Sequence, residues 1–233
     1  MDNHGHILNT FPLRIFLGQY PRIFYPLYSL VPVNRRLSVK QGTEIVIEGF
    51  PRSANTFAVL AFTAAQTSQV KIAHHMHVPA QIIKAKRLQI PALVVIRNPK
   101  DSAISYTIRK PELSLKAILE CYTTYHEAIF PHRSHYVLAT FEEVINDFSK
   151  SIERVNYKFG VNFVPHTPSG LELESIFKRA DELEGGDQKR TSRPSQERMT
   201  LKEALKQEML NPELAAALKE AETIYDQFLS TLS

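Results

Sequence analysis

Three short runs, TEIVIEGF (43–50), IPALVVI (90–96) and HYVLAT (135–140), are rich in apolar and β-branched residues, and each is followed by a polar segment. Runs of this length, bounded by turn residues, read as strands buried on both faces. Helical stretches lie between and after them. TFAVLAFTAAQTSQ (56–69) is apolar all round and reads as a buried helix. FEEVINDFSKSIERVNYKFGV (141–161) places Phe141, Val144, Ile145, Phe148, Ile152, Val155 and Phe159 at steps of three and four. It reads as one amphipathic helix stopped by Gly160. Strands buried on both faces and alternating with helices predict an α/β fold, a parallel β-sheet flanked by helices in three layers. A chain of 233 residues, 43% hydrophobic, can fill the core of one such domain over 1–233.

The flanks are less regular. Residues 1–40 form an aromatic-rich segment in which FPLRIFLGQYPRIFYPLYSLVPV (11–33) is interrupted by Arg14, Arg22 and several prolines. These interruptions argue against a membrane span, and the segment is expected to lie strapped across the core. Phe11, Phe16, Tyr20, Phe24, Tyr25 and Tyr28 also permit a peripheral membrane contact through 11–33. MDNHGHILNT lacks basic residues ahead of an apolar stretch, so no secretory signal is read. A single cysteine, Cys121, precludes an internal disulfide and fits a reducing compartment; a cytoplasmic location, peripheral to a membrane at most, is expected. Residues 166–198 carry one short helical signal, then Gly185-Gly186 and a basic stretch, and read as a mobile loop region. Two helices are expected in 199–233, the first capped by Thr200 with Glu203, the second by Asn211 with Pro212 at its first position.

A net charge of +4 suits an anionic ligand and falls short of what a nucleic acid would demand. In an open α/β sheet that ligand sits at the carboxyl ends of the strands. The first strand ends in GFPRSANT, which is no Walker A loop, since it has neither a second glycine nor a lysine. It does set Ser53, Asn55 and Thr56 where a helix begins, so free backbone N–H groups and the helix dipole face any anion there. Arg52 adds a charge and a fork of donors. The second strand runs into IRNPKDSAISY, with Arg97 at its end, a turn through Asn98-Pro99, and Ser105 on the following helix. Nucleotide kinases commonly place a magnesium-binding aspartate at such a strand end. An arginine there suits a second anion, and no metal is expected; Asp101 is the nearby carboxylate that keeps a metal–nucleotide site open. KIAHHMHVPAQ (71–81) holds three of the nine histidines. In an extended segment His75 and His77 would share one side and His74 the other. A histidine is suited to act as a base near neutrality, and a metal site lacks an acidic third ligand nearby.

These motifs resemble those of the sulfotransferases that use 3′-phosphoadenosine 5′-phosphosulfate, over about residues 43–160. That resemblance implies a relative of the P-loop nucleotide-binding fold, a sulfotransferase-like three-layer sandwich. GFPRSANTF is similar to the family's 5′-phosphosulfate loop and implies Arg52, Ser53, Ala54, Asn55, Thr56 and Phe57 as its binding segment. IRNPKDSAISY is similar to the 3′-phosphate motif and implies Arg97 and Ser105 as ligands of that phosphate. ATFEEV stands where the family carries an aromatic residue against adenine, which points to Phe141. HMHVP matches a Lys-x-His-x-Pro pattern, with His77 as the catalytic base and His75 in place of the lysine. Arg52 would then stabilise the leaving phosphate. Ala54 stands where a glycine is common, so a positive φ there would be strained. The family's C-terminal Arg-Lys-Gly motif is absent, and Lys189, Arg190 and Arg193 in KRTSRPSQER are the cations available to replace it. The implied reaction is in-line transfer of a sulfuryl group to a hydroxyl, less readily an amine, with adenosine 3′,5′-bisphosphate as product. The acceptor is left as a small molecule, a carbohydrate or a lipid-linked group. A small-molecule kinase of the P-loop type, and a non-catalytic module binding an anion or a membrane, are the competing readings.

Overall fold

The computed structural model describes residues 10–183 and 196–232. Four strands, β1 (Ile45–Gly49), β2 (Ile72–His74), β3 (Ala92–Ile96) and β4 (Val137–Thr140), form one parallel sheet in the order β2-β1-β3-β4. Ile47 is in register with His74 on one side and Leu93 on the other, and Val95 with Gly49 and Ala139. The expected α/β architecture with helices on both faces of a parallel sheet is what the chain adopts. β2 adds a strand that composition conceals, because only three residues pair.

Alternate strand residues enter opposite cores. Val46, Val94, Ile96 and Leu138 pack with α1 (Phe11–Gly18), α5 (Pro79–Leu88), α6 (Pro99–Arg109), α7 (Leu115–Ile129) and α12 (Pro212–Leu229). Ile45, Ile47, Leu93, Val95, Val137 and Ala139 pack with α4 (Asn55–Ala65), α8 (Phe141–Asn146), α9 (Phe148–Phe159) and α10 (Gly170–Leu183). Burying side chains of this size contributes about 1.5–3 kcal/mol each, which is why the strands show no polar face. α2 (Pro21–Tyr28) and α3 (Pro32–Leu37) follow α1 across the edge of the sheet, where Phe24 and Tyr28 form a small cluster with Met76, Val78 and Ala80. The N-terminal segment is therefore strapped over the domain. Among the described residues no helix is long and apolar enough to cross a membrane.

Two expectations are corrected. The amphipathic stretch after β4 is two helices, α8 and α9, broken at Asp147 (φ −153°, ψ 58°). The Asp147 carboxylate accepts from the Ser149 hydroxyl at 3.0 Å, a local bond that competes with the helix ladder. The short helical signal expected within 166–198 is α10, where Leu173, Ile176 and Phe177 pack on the second core at helical spacing, and residues 184–195 lie outside the described residues. α11 (Gln196–Glu208) begins ahead of Thr200, whose hydroxyl donates to the Gln196 carbonyl from inside the helix instead of capping it. Asn211 caps α12 as expected, accepting from Glu213 N at 3.0 Å, and Gly160 ends α9 with φ 65°.

The chain leaves β1 toward β2 on one side, then returns to β3 on the other. The strand order thus reverses between β1 and β3, and the crevice at their carboxyl ends is where such sheets bind ligands.

Candidate functional site

The loop after β1 is held close to the sheet. A Cβ on Gly49 would lie 2.3 Å from the Val95 carbonyl oxygen and 2.9 Å from Asn55 Oδ1, so only glycine fits. Asn55 Nδ2 reaches back to the Phe50 carbonyl at 3.0 Å. Between them Arg52 (φ 69°) and Ala54 (φ 65°) take left-handed conformations, and Ala54 is the N-cap of α4. The Ser53 hydroxyl is buried with no hydrogen-bond partner, the kind of orphan that an anion's oxygen would satisfy. A left-handed alanine is strained by about 1–2 kcal/mol, a little more than glycine's extra chain entropy. Ala54→Gly is therefore expected to raise stability by about 1 kcal/mol, read from the urea midpoint; a fall in that midpoint would contradict the strain.

The segment after β3 interlocks with this loop. Asn98 caps α6, its Oδ1 accepting from Lys100 N at 3.0 Å and Asp101 N at 3.4 Å, with Pro99 in the first turn. The Asn-Pro turn therefore fixes where the helix starts. Arg97 is clamped on three sides. Its carbonyl accepts from the Tyr122 hydroxyl at 2.7 Å, Nη1 donates to the Arg52 carbonyl at 2.8 Å, and the guanidinium lies 4.1 Å from the centroid of the Phe141 ring. Arg52 Nε donates to Ser105 Oγ at 3.0 Å. Residues expected to serve two separate phosphates, Arg52 on one and Ser105 on the other, are thus in direct contact.

Both segments line a cavity of about 840 Å³, with Arg14, Arg52, Arg97, Arg109, Lys110, Arg198 and Lys202 around it and Asp101 as its one carboxylate among the described residues. Ala54, Asn55, Thr56, Phe57, His75, His77, Ser105 and Phe141 also line it. This size suits a nucleotide-sized ligand. Burial, with the like charges of Arg109, Arg198 and Arg97, lowers the Arg52 guanidinium to about 9, and the buried Arg14 Nε has no partner. A wall in which cations so outnumber carboxylates is built for an anion. A second concavity, about 900 Å³, lies at the amino ends of β1 and β2, away from these motifs.

Sequence reasoning missed Arg14, Arg109 and Arg198. Arg109 stands four residues after Ser105, a helical spacing that could have found it. Arg198 closes the KRTSRPSQER stretch that was read for replacement cations, but other residues were picked from it, and Arg14 arrives from α1, which no local pattern connects to the site. Lys189, Arg190 and Arg193 lie outside the described residues.

The histidine segment is not extended. β2 stops at His74, and His75 (φ 57°) and His77 (φ 49°) turn the chain. His74 accordingly does not face away from its neighbour, since the two Nδ1 atoms of His74 and His75 are 2.5 Å apart. His75 Nε2 is 2.9 Å from Thr56 Oγ1, tying the turn to the start of α4. His77 Nδ1 lies 2.8 Å from the Gly49 carbonyl oxygen, which can only accept. Nδ1 therefore carries the proton and Nε2 the lone pair.

Beneath the turn is a residue the sequence reading passed over, although it is the one carboxylate inside an apolar strand. Glu48 is wholly buried and accepts from Met76 N at 2.7 Å and His77 N at 3.2 Å, with Gln81 Nε2 and Gly49 N each at 3.4 Å. Burial pushes its carboxyl up to about 7 in spite of these donors. Burial also holds His77 down to about 4, partly offset by the bond to Gly49. The 3.7 Å contact between Glu48 and His77 Nδ1 is therefore not a strong ion pair. Burial, with His77, His74 and Arg109 nearby, takes His75 to about 3, and burial takes the core residue His126 to about 3.

The fold should consequently be acid-sensitive. Unfolding lets these three histidines take up protons below pH 6.5, while Glu48, protonated below about 7 when folded, gives its proton up on unfolding until about 4.5. About two protons are gained on balance, so stability should fall by roughly 2–3 kcal/mol per pH unit between pH 6 and 5. Urea midpoints measured at these two values check this; equal midpoints would mean the histidines are not buried in neutral form.

Among the described residues no three His, Cys, Asp or Glu side chains are grouped to hold a metal ion. No family model and no curated protein matches the sequence. Among solved structures, mouse sulfotransferase SULT7A1 complexed with PAP is similar over 82% of this chain and 93% of its own, with 14% identity and a TM-score of 0.44. At that distance the likeness carries no weight of its own, and the functional reading rests on the residues of the cavity.

Proposed function

We propose that the chain is a sulfotransferase that moves a sulfuryl group from 3′-phosphoadenosine 5′-phosphosulfate to an acceptor hydroxyl. The observation that supports this reading most is the interlocking of Arg52 with Ser105 and Arg97 at the β1–β3 crevice, inside a cavity where cations far outnumber carboxylates. A nucleotide bearing phosphate on both its 3′ and 5′ sides fits two adjoining cationic segments. Thr56 and the α4 N-terminus supply donors on the 5′ side, with the buried Ser53 hydroxyl behind the cavity wall, Arg97 and Ser105 receive the 3′ side, and the Phe141 ring offers a face for the base. Arg109 and Arg198 add further charge.

In the reaction, the acceptor oxygen forms a bond to sulfur as the bond from sulfur to the 5′-phosphate oxygen breaks. Charge grows on that leaving oxygen, where Arg52 and the helix N-terminus stabilise it without a metal. The acceptor proton passes to His77 Nε2, whose lone pair is oriented by the Nδ1–H bond to Gly49. His75 is neutral, so it contributes a hydrogen-bonding ring nitrogen near Thr56 and not the charge of the lysine it replaces.

Calorimetry of the chain with adenosine 3′,5′-bisphosphate, and separately with ATP and magnesium, tests the donor class. Binding of the bisphosphate with none of magnesium ATP is expected. The reverse preference would replace this reading with a kinase, and binding of neither would leave an anion-binding module.

A further inference from the structure

The outer side of the N-terminal helices inverts the usual pattern. On α2, Pro21, Phe24 and Tyr28 turn inward, while Arg22, Ile23, Pro26 and Leu27 face solvent. A surface helix ordinarily presents polar residues outward. The apolar exposure runs on into both neighbours, with Phe16 at 53%, Ile23 at 52%, Leu30 at 74% and Val33 at 57%. Phe16 and Tyr20 are in edge-to-face contact at 5.9 Å, which joins the end of α1 to the start of α2. An apolar surface of this kind marks a contact with something else.

Charge gives the contact its sign. Residues 3–43 contain no Asp or Glu in a chain that holds 24 of them, and Arg22, Arg35, Arg36 and Lys40 are all exposed there. Polar side chains of the segment are spent on its own backbone. Gln19 Nε2 donates to Phe16 O, Asn34 Nδ2 to Tyr28 O and Arg35 Nε to Ser29 O. A protein interface needs roughly one hydrogen bond per 100–200 Å², and apart from its cations this surface offers few groups to make them. A bilayer asks only for apolar side chains to enter the boundary and cations to meet phosphate headgroups. We propose that the outer face of α1–α3 docks on an anionic phospholipid membrane. The docking does not depend on the chemistry of the cavity, although α1 supplies Arg14 to the cavity and Phe16 to this face.

Co-sedimentation of the full chain with vesicles tests it, using phosphatidylcholine alone and phosphatidylcholine with about 30% phosphatidylglycerol. Partition onto the anionic vesicles is expected to be at least about tenfold stronger than onto neutral ones and to weaken in high salt. Replacing Ile23 and Leu27 together by serine should reduce it about tenfold or more, with the thermal melt unchanged because both are exposed. Absence of binding to anionic vesicles, or equal binding by the serine variant, would overturn the proposal. So would a dimer in sedimentation analysis that the serine pair abolishes while vesicles go unbound, since a second copy would then cover the face.

Discussion

His77→Ala is expected to lower the turnover of sulfuryl transfer by roughly 10²–10⁴ and to leave the affinity for adenosine 3′,5′-bisphosphate nearly unchanged. The warrant is the tautomer. The Gly49 carbonyl takes the Nδ1 proton, so Nε2 is the basic nitrogen at neutral pH. Because burial lowers this histidine to about 4, its own protonation should lower the wild-type rate only as pH approaches about 4, and any step near 7 belongs to the Glu48 carboxyl beneath it. The former differs from the drop near 6.5 that an unperturbed imidazole would give. His75→Ala should cost less, since its ring nitrogens bond Thr56 and His74 and carry no charge to offer. Turnover of each variant at saturating donor decides the matter. Near-normal turnover in His77→Ala would place the base elsewhere.

The sheet was legible because its strands are buried on both faces, which leaves a mainly apolar run in the sequence wherever four or five residues pair. β2 escaped because three residues give no pattern to read. The break at Asp147 escaped for a different reason: a local carboxylate–hydroxyl bond overrode a hydrophobic period that continues through it. In the site, the two strand-end segments were legible as motifs, each being contiguous. Their contact through Arg52 and Ser105 was not, because it arises from the strand order and not from either motif. Arg14 and Arg109 show the same limit, converging from two helices, while Arg198 belongs to the KRTSRPSQER stretch that was noted without being chosen. Glu48 was visible as a carboxylate in a strand, but its role under the histidine turn depends on backbone N–H groups 28 and 29 residues away. The turn itself was misread as extended because alternating histidines look alike in a strand and in a chain with positive φ at every second residue.

Arg97→Ala should weaken binding of adenosine 3′,5′-bisphosphate by about 2–4 kcal/mol, a loss of roughly 30- to 1,000-fold. A phosphate drawn into this cavity leaves water behind, and without the guanidinium it keeps its charge with fewer donors to meet it. Arg97 has a second role that limits what a single ligand can report. It holds the Arg52 carbonyl at 2.8 Å, so its removal also loosens the loop on the 5′ side. One hydrogen bond of that kind contributes about 1 kcal/mol. Adenosine 5′-phosphate, which has no 3′-phosphate, should therefore lose only about fivefold in the same variant. Arg97→Lys separates the contributions further, since it keeps the charge and gives up both the fork and the flat stack on Phe141. Its bisphosphate affinity should fall between wild type and alanine. Isothermal titration of both nucleotides against the three proteins reads all of these quantities. Equal losses for the two nucleotides would mean that Arg97 acts through the loop alone, and the 3′-phosphate would then have to be sought among Arg109, Arg198 and Lys202.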